Sequence, residues 1–172
     1  RVLLRGGNSI GLALCWLAVV KAGMVAVATM PLFRATELGK VIDRVQPLVA
    51  LCDAQLLDEL DKASVQHPGV LRQVLRFGAA DDPQDLGALV AQQPGHFTAC
   101  PTAADDIALL AFTSGTTGQP KVAVHSHRDV LAACAAWPRH VLRATPQDVV
   151  TGSPPPAFTL GPGGLLLFPM AA

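Results

Sequence analysis

Three short apolar runs that do not alternate with polar residues constrain this chain more than any other feature: RVLL at 1–4, MVAVATM at 24–30 and LVALC at 48–52. Alternation would mark a strand with one wet face. Unbroken Val, Ala and Leu mark strands covered on both faces, as parallel strands are. Segments of helical spacing stand between them. Residues 9–22 are apolar but for Ser9 and Lys21, with Asn8 suited to cap the helix start, Lys21 to its last turn and Gly23 to the position just past its end. ATELGKVIDRV (35–45) sets Leu38, Val41, Ile42 and Val45 on one face, and Pro47 stops it. AQLLDELDKASVQ (54–66) is a third helix. Strand–helix alternation of this kind predicts an α/β fold of parallel βαβ units with right-handed crossovers.

Farther along, 78–106 turns to Asp, Pro, Gln and Gly, and reads as a long surface loop or a short helix within one. Asp81, Asp82 and Asp85 belong there as solvated side chains. Order returns with IALLAF (107–112) and KVAVH (121–125) as strands, RDVLAACAAWPRHVL (128–142) as a helix interrupted at Pro138, and DVVTGS (148–153) as a last strand. Trp16 and Trp137 lie in apolar helices and read as core. One alternative concerns residues 10–30, which carry a single charge, Lys21, and approach a membrane span. With Arg1 and Arg5 ahead and AVA at 26–28, they also mimic a secretory leader. The helix punctuation and the shift to Val, Ala and Thr after Gly23 favour a buried helix followed by a strand.

Composition narrows the function classes. The chain is 51% hydrophobic and only 15% charged, against about 25% charged in an average soluble domain. Such a chain needs more protein over its surfaces. With Arg1 first and Ala172 straight after GGLLLFPMA, it reads as a fragment. Thirteen basic and thirteen acidic residues leave no basic stripe for nucleic acid and no polybasic segment for lipid. Cys15, Cys52, Cys100 and Cys134 form no C-x-x-C pair; each sits among apolar neighbours, which suits core thiols in a reducing cytoplasm.

The chemistry gathers in LLAFTSGTTGQPKVAVHSH (109–127). Gly115 and Gly118 can take positive φ and let the backbone approach a ligand. Successive N–H groups in such a turn converge on an anion. Thr113, Ser114, Thr116 and Thr117 add hydroxyls, and Lys121 a mobile positive charge. The spacing is not that of a Walker loop, since Pro120, Lys121 and Val122 stand where Gly-Lys-Ser/Thr is needed. A plain solvated turn is the bland alternative, but it needs far fewer donors. His125 and His127 have no third ligand nearby, so a strand end or helix cap explains them better than a metal. No H-E-x-x-H motif occurs.

FTSGTTGQPK resembles the phosphate-binding signature of the adenylate-forming, AMP-binding superfamily of acyl- and aryl-CoA synthetases, luciferases and peptide-synthetase adenylation domains. CWLAVVKAGMVAVATMPLFRATELGKVIDRVQPLVALCD is similar to the same superfamily's upstream passage, and GSPPPAFTLGPGGLLLFP to its segment beside the acyl pocket. The paired threonines and AFTLGPGG look most like benzoate or 2-aminobenzoate CoA ligases. The resemblance implies ATP-phosphate contacts at Thr113, Ser114, Gly115, Thr116, Thr117, Gly118 and Lys121, and an aromatic ring at Phe158 near substrate and adenine. It implies ATP, Mg2+ and coenzyme A as reaction partners, and a small carboxylic acid as substrate. Val122 replaces the usual glycine, and Pro156 and Pro162 replace common leucines. The chain would then be part of the N-terminal AMP-binding domain. The small C-terminal domain and its catalytic lysine would lie outside residues 1–172, and no catalytic residue is expected within them. An inert nucleotide-binding remnant and a peptide-synthetase adenylation domain remain the alternatives.

Overall fold

The computed structural model describes residues 1–113, 121–155, 157 and 159–172. Its elements in order are β1 (Val2–Arg5), α1 (Ile10–Lys21), β2 (Ala26–Thr29), α2 (Ala35–Val45), β3 (Val49–Asp53), a 3-10 turn (Ala54–Leu56), α3 (Leu57–Gln66), β4 (Gln73–Phe77), α4 (Leu86–Ala91), β5 (Ile107–Thr113) and β6 (Lys121–Ser126). Then come α5 (His127–Ala136), a π-helical stretch (Trp137–Leu142) and a last helical passage: α6 (Leu160–Pro162), a second π-helical stretch (Gly163–Leu167) and α7 (Phe168–Met170). The strands form one sheet in the order β4-β3-β1-β2-β5-β6. All neighbours pair in parallel except β5 with β6, which are antiparallel. The predicted parallel βαβ units are therefore present.

Both faces of the sheet are covered, which is why its strands do not alternate. Leu3, Val27, Ala50 and Cys52 face α2 and α3, meeting Leu38, Val41, Ile42, Val45, Leu60 and Ala63. Val2, Leu4, Ala26 and Leu51 face the other way, toward Leu12, Cys15, Trp16 and Val19 of α1. Each fully buried Leu, Ile or Val contributes about 1.5–3 kcal/mol over exposure.

Helix ends follow local chemistry, with one correction. Ser9, not Asn8, caps α1: its hydroxyl accepts from Leu12 N–H at 3.2 Å. At the other end Gly23 (φ +71°) donates to the Val20 carbonyl and Met24 to that of Val19, a Schellman closure. At α2 the Glu37 carboxylate accepts from Arg34 N–H, and Glu59 of α3 accepts from Ala35 N–H at 2.9 Å, fastening one helix to the other.

Other expectations need revision. Residues 148–153 form no strand: no neighbouring edge pairs with them, and the Asp148 carboxylate folds back on Thr145 N–H at 2.7 Å. Pro138 does not interrupt its helix; the turn widens to π-helical and so avoids the clash between its ring and the preceding turn. Trp137 is 45% exposed and not core. Cys15 and Cys52 are buried, with burial pushing their thiols up to about 11 and about 12, whereas Cys100 is exposed and Cys134 half-buried. Asp85 is buried, accepting from Ala79 and Gly87 N–H to shape α4, and Asp82 pairs with Arg76 at 2.7 Å. Strand β4 belongs to 67–77, a stretch to which the sequence reading assigns nothing. Among the described residues, no helix is long and apolar enough to cross a membrane.

Candidate functional site

The parallel strands end together, at Arg5, Thr29, Asp53, Phe77 and Thr113. In sheets of this type ligands bind outside the carboxyl ends of the strands. Here β2 and β5 pair only through Ala26–Leu109 and Val27–Leu110. Beyond those positions Ala28 and Ala111, with Trp16, Ala157, Thr159 and Pro162, line a narrow cleft.

Arg5 holds the loops around that end. It is 1% exposed, yet its guanidinium donates to the Leu56, Met30, Pro31 and Phe33 carbonyls at 2.7–3.2 Å. Burial lowers its pKa, with Cys52 and Glu59 opposing; an arginine stays charged regardless. Sequence reasoning missed this role and used Arg5 only as a leader-like charge. The available signal was an arginine ending a run otherwise too apolar to have a wet face.

The β5–β6 hairpin carries the candidate phosphate loop. Thr113 ends β5 and Lys121 begins β6; the two are direct antiparallel partners, and both are exposed. They are the feet of the loop 114–120. Ser114, Gly115, Thr116, Thr117 and Gly118 lie outside the described residues, as do Pro156 and Phe158. Val122, which replaces a glycine of the resembling signature, pairs with Phe112, and both pack against the α2–α3 core. The departure therefore has a packing role.

After the hairpin, Ser126 caps α5. The Asp129 carboxylate accepts from Ser126 N–H and Oγ–H, both at 2.8 Å. Those bonds, first the backbone one, hold Asp129 below its ordinary range, with His125 a smaller contributor. His125 ends in a cavity wall, while His127 opens the helix. Among the described residues no three His, Cys, Asp or Glu side chains gather to hold a metal.

That cavity, about 570 Å³, lies between α5 with its π-helical extension and the helical passage from α6 to α7. Leu109, Val130, Trp137, Leu160, Leu167 and Phe168 give it an apolar lining, and His125, Asp129, His140 and Thr159 add polar groups. A Cβ on Gly163 would come 3.0 Å from Phe168 Cζ, so the glycine lets that ring lie against the helix backbone.

A doubly covered, mainly parallel sheet extended by one antiparallel hairpin defines an α/β domain of the doubly wound kind. The chain belongs to the AMP-binding enzyme family, which matches residues 1–172. It is 30% identical over 171 residues to the benzoate–CoA ligase of Thauera aromatica, covering 99% of this chain and 32% of that protein. Its fold is similar to that of the anthranilate CoA ligase AuaEII solved with anthranoyl-AMP (TM-score 0.87, 23% identity, 99% of this chain and 32% of that one). ATP-bound MatB from Rhodopseudomonas palustris is also similar (TM-score 0.83, 27% identity, 98% and 33%). The chain thus spans about a third of the length of these relatives.

Proposed function

We propose that the parent protein is an AMP-forming acid–thiol ligase acting on an aryl carboxylic acid, and that this chain supplies its phosphate grip and one wall of its acid cavity. The observation that carries the reading is the hairpin. TSGTTGQPK spans it, with Thr113 and Lys121 facing each other at the carboxyl end of the parallel sheet. A carboxylate oxygen of the acid attacks the α-phosphorus of ATP, the bond to the bridging oxygen breaks, and pyrophosphate leaves. Thr113, Ser114, Gly115, Thr116, Thr117, Gly118 and Lys121 bind the β- and γ-phosphates, with the Lys121 ammonium neutralising charge on the leaving group. Mg2+, when bound, would share that charge, and the Thr113 hydroxyl is an oxygen that could help to hold it. In the second half-reaction the thiol of coenzyme A attacks the acyl carbon and AMP departs.

The relatives' names, benzoate–CoA ligase and anthranilate CoA ligase, support an aryl acid. The cavity volume falls within the usual range for small-molecule sites, about 300–1,000 Å³, and Phe158 adjoins the wall residues Thr159 and Leu160 in sequence. The catalytic lysine and the small C-terminal domain belong to the rest of the parent. Free thiols at all four cysteines favour a cytoplasmic setting. The test is ATP–pyrophosphate exchange by the parent protein with benzoate and 2-aminobenzoate, followed by CoA consumption. Absence of acid-dependent exchange with a panel of aryl acids overturns the reading.

A further inference from the structure

We propose that Asn8 is a positioning residue for the acid cavity, tethering the proline-rich segment that leads into the cavity wall. The inference rests on the reading of that cavity as the acid site. Asn8 follows Gly6 and Gly7 in the turn after β1. Ser9 performs the capping of α1, which leaves the Asn8 side chain free for another partner. Its amide nitrogen donates to the Ser153 carbonyl at 3.4 Å and the Pro154 carbonyl at 3.2 Å, contacts between residues 145 and 146 positions apart.

The Asn8 end of this tether is firmly based. Arg5, one residue before Gly6, is fixed by four carbonyls. Gly6 itself is buried so closely under Phe77 that a Cβ would come 2.9 Å from the ring. Ser9 is set by its cap bond to Leu12. Across from Asn8, Gly152 lies against Leu165, where a Cβ would come within 3.0 Å. A small cleft lined by Asn8, Leu12 and Trp16 on one side and by Pro162, Leu165 and Leu166 on the other joins α1 to the last helical passage. By contrast, the segment at the far end of the tether has little other support. Residues 148–153 are exposed and join no strand. Among the described residues, the two Asn8 bonds are the hydrogen bonds that tie 149–155 to the sheet's body. Ala157, Thr159 and Leu160 follow within a few residues, and Thr159 and Leu160 line the acid cavity. A rigid turn at the end of β1 thereby sets where that wall begins.

The role is geometric, so it belongs to acid binding and not to the phosphate grip. In the parent protein, Asn8→Ala should raise the acid KM in pyrophosphate exchange about fivefold, while the ATP KM stays within about twofold and the melting temperature within about 2 °C, since the side chain is exposed and removes only bonds of ordinary net strength. Asn8→Asp, which turns an acceptor toward two carbonyls, should do more harm. Asn8→Gln keeps the amide donor at an exposed position with room for one more methylene, and should recover most of the loss. Backbone hydrogen exchange gives an independent readout: protection of the Gly163 and Phe168 amides, which bond to the Thr159 and Gly163 carbonyls, should fall in Asn8→Ala, and protection in β1 and β3 should not. Equal changes in both KM values, no change in either, or unchanged exchange at Gly163 and Phe168 overturns the tether. A wild-type parent without acid-dependent exchange overturns the functional reading instead, and the hydrogen-exchange comparison then decides the tether alone.

Discussion

Two side chains at the carboxyl end of the sheet act through charge, in opposite settings. Lys121 is exposed at the foot of its loop, so it can follow a phosphate. Replacing it by Ala should slow adenylate formation at least tenfold, about 1.4 kcal/mol, and leave thiol transfer from preformed acyl-adenylate within about twofold, because pyrophosphate has gone by then. Single-turnover assays of the two halves check this; equal losses in both contradict the assigned role. Arg5 is buried and holds carbonyls, not a ligand. Arg5→Met keeps most of the volume but leaves buried carbonyl groups without donors, each at about 1–3 kcal/mol. A loss of about 3 kcal/mol or more in unfolding free energy is expected by denaturant titration of the parent. A loss below 1 kcal/mol would mean that water replaces the guanidinium without difficulty.

Elements ended by a local signal were readable from the sequence, and elements ended by a distant partner were not. Helix α2 was placed residue for residue because its apolar face and Pro47 act within a few positions. The end of α1 was equally legible, and it gives a prediction. Gly23 has φ +71°, and a Cβ there would lie 2.6 Å from the Cys100 sulfur. Gly23→Ala should therefore destabilise the parent by about 1–3 kcal/mol, from left-handed strain with the sulfur contact added. Gly23→Ala combined with Cys100→Gly should recover only the contact portion. Full recovery in the double variant would show that backbone strain is negligible. Strand β4 escaped notice because Gln73 and Arg76 interrupt its apolar pattern; as an edge strand it has only β3 to satisfy. The opposite error arose at 148–153, where a β-favouring composition pairs with neither outer strand of the sheet. At the candidate site, residue types pointed to an anion-holding turn, and the structure places Thr113 and Lys121 opposite each other in the β5–β6 ladder. The partners of Arg5 and Asn8 could not be read, because they lie 25 or more and 145 or more positions away.

At the scale of the molecule, apolar surface is the dominant fact. Helix α1 is apolar on every side: Leu12, Cys15, Trp16 and Val19 are buried, while Ile10 is 81% and Leu14 61% exposed. Leu131, Val141, Leu160 and Met170 are also exposed. A helix hydrophobic all round is normally enclosed, and contiguous apolar patches drive association. The isolated 172 residues should bind an apolar dye, self-associate at micromolar concentration and melt without a sharp transition. A monomer with a reversible two-state melt would contradict this.

The brief contact between β2 and β5 also sets an order in time. Strands β1 to β4 are complete once Phe77 has left the ribosome, and they can pair among themselves as β4-β3-β1-β2. The outer edge of β2 then waits for residues 107–110, at synthesis rates of about 5–20 residues per second. That interval lasts on the order of several seconds, and it closes through two register pairs alone. A nascent chain stalled between Phe77 and Ile107 thus offers an unpaired apolar strand, and it is this half-built sheet, more than the finished one, that calls for a chaperone.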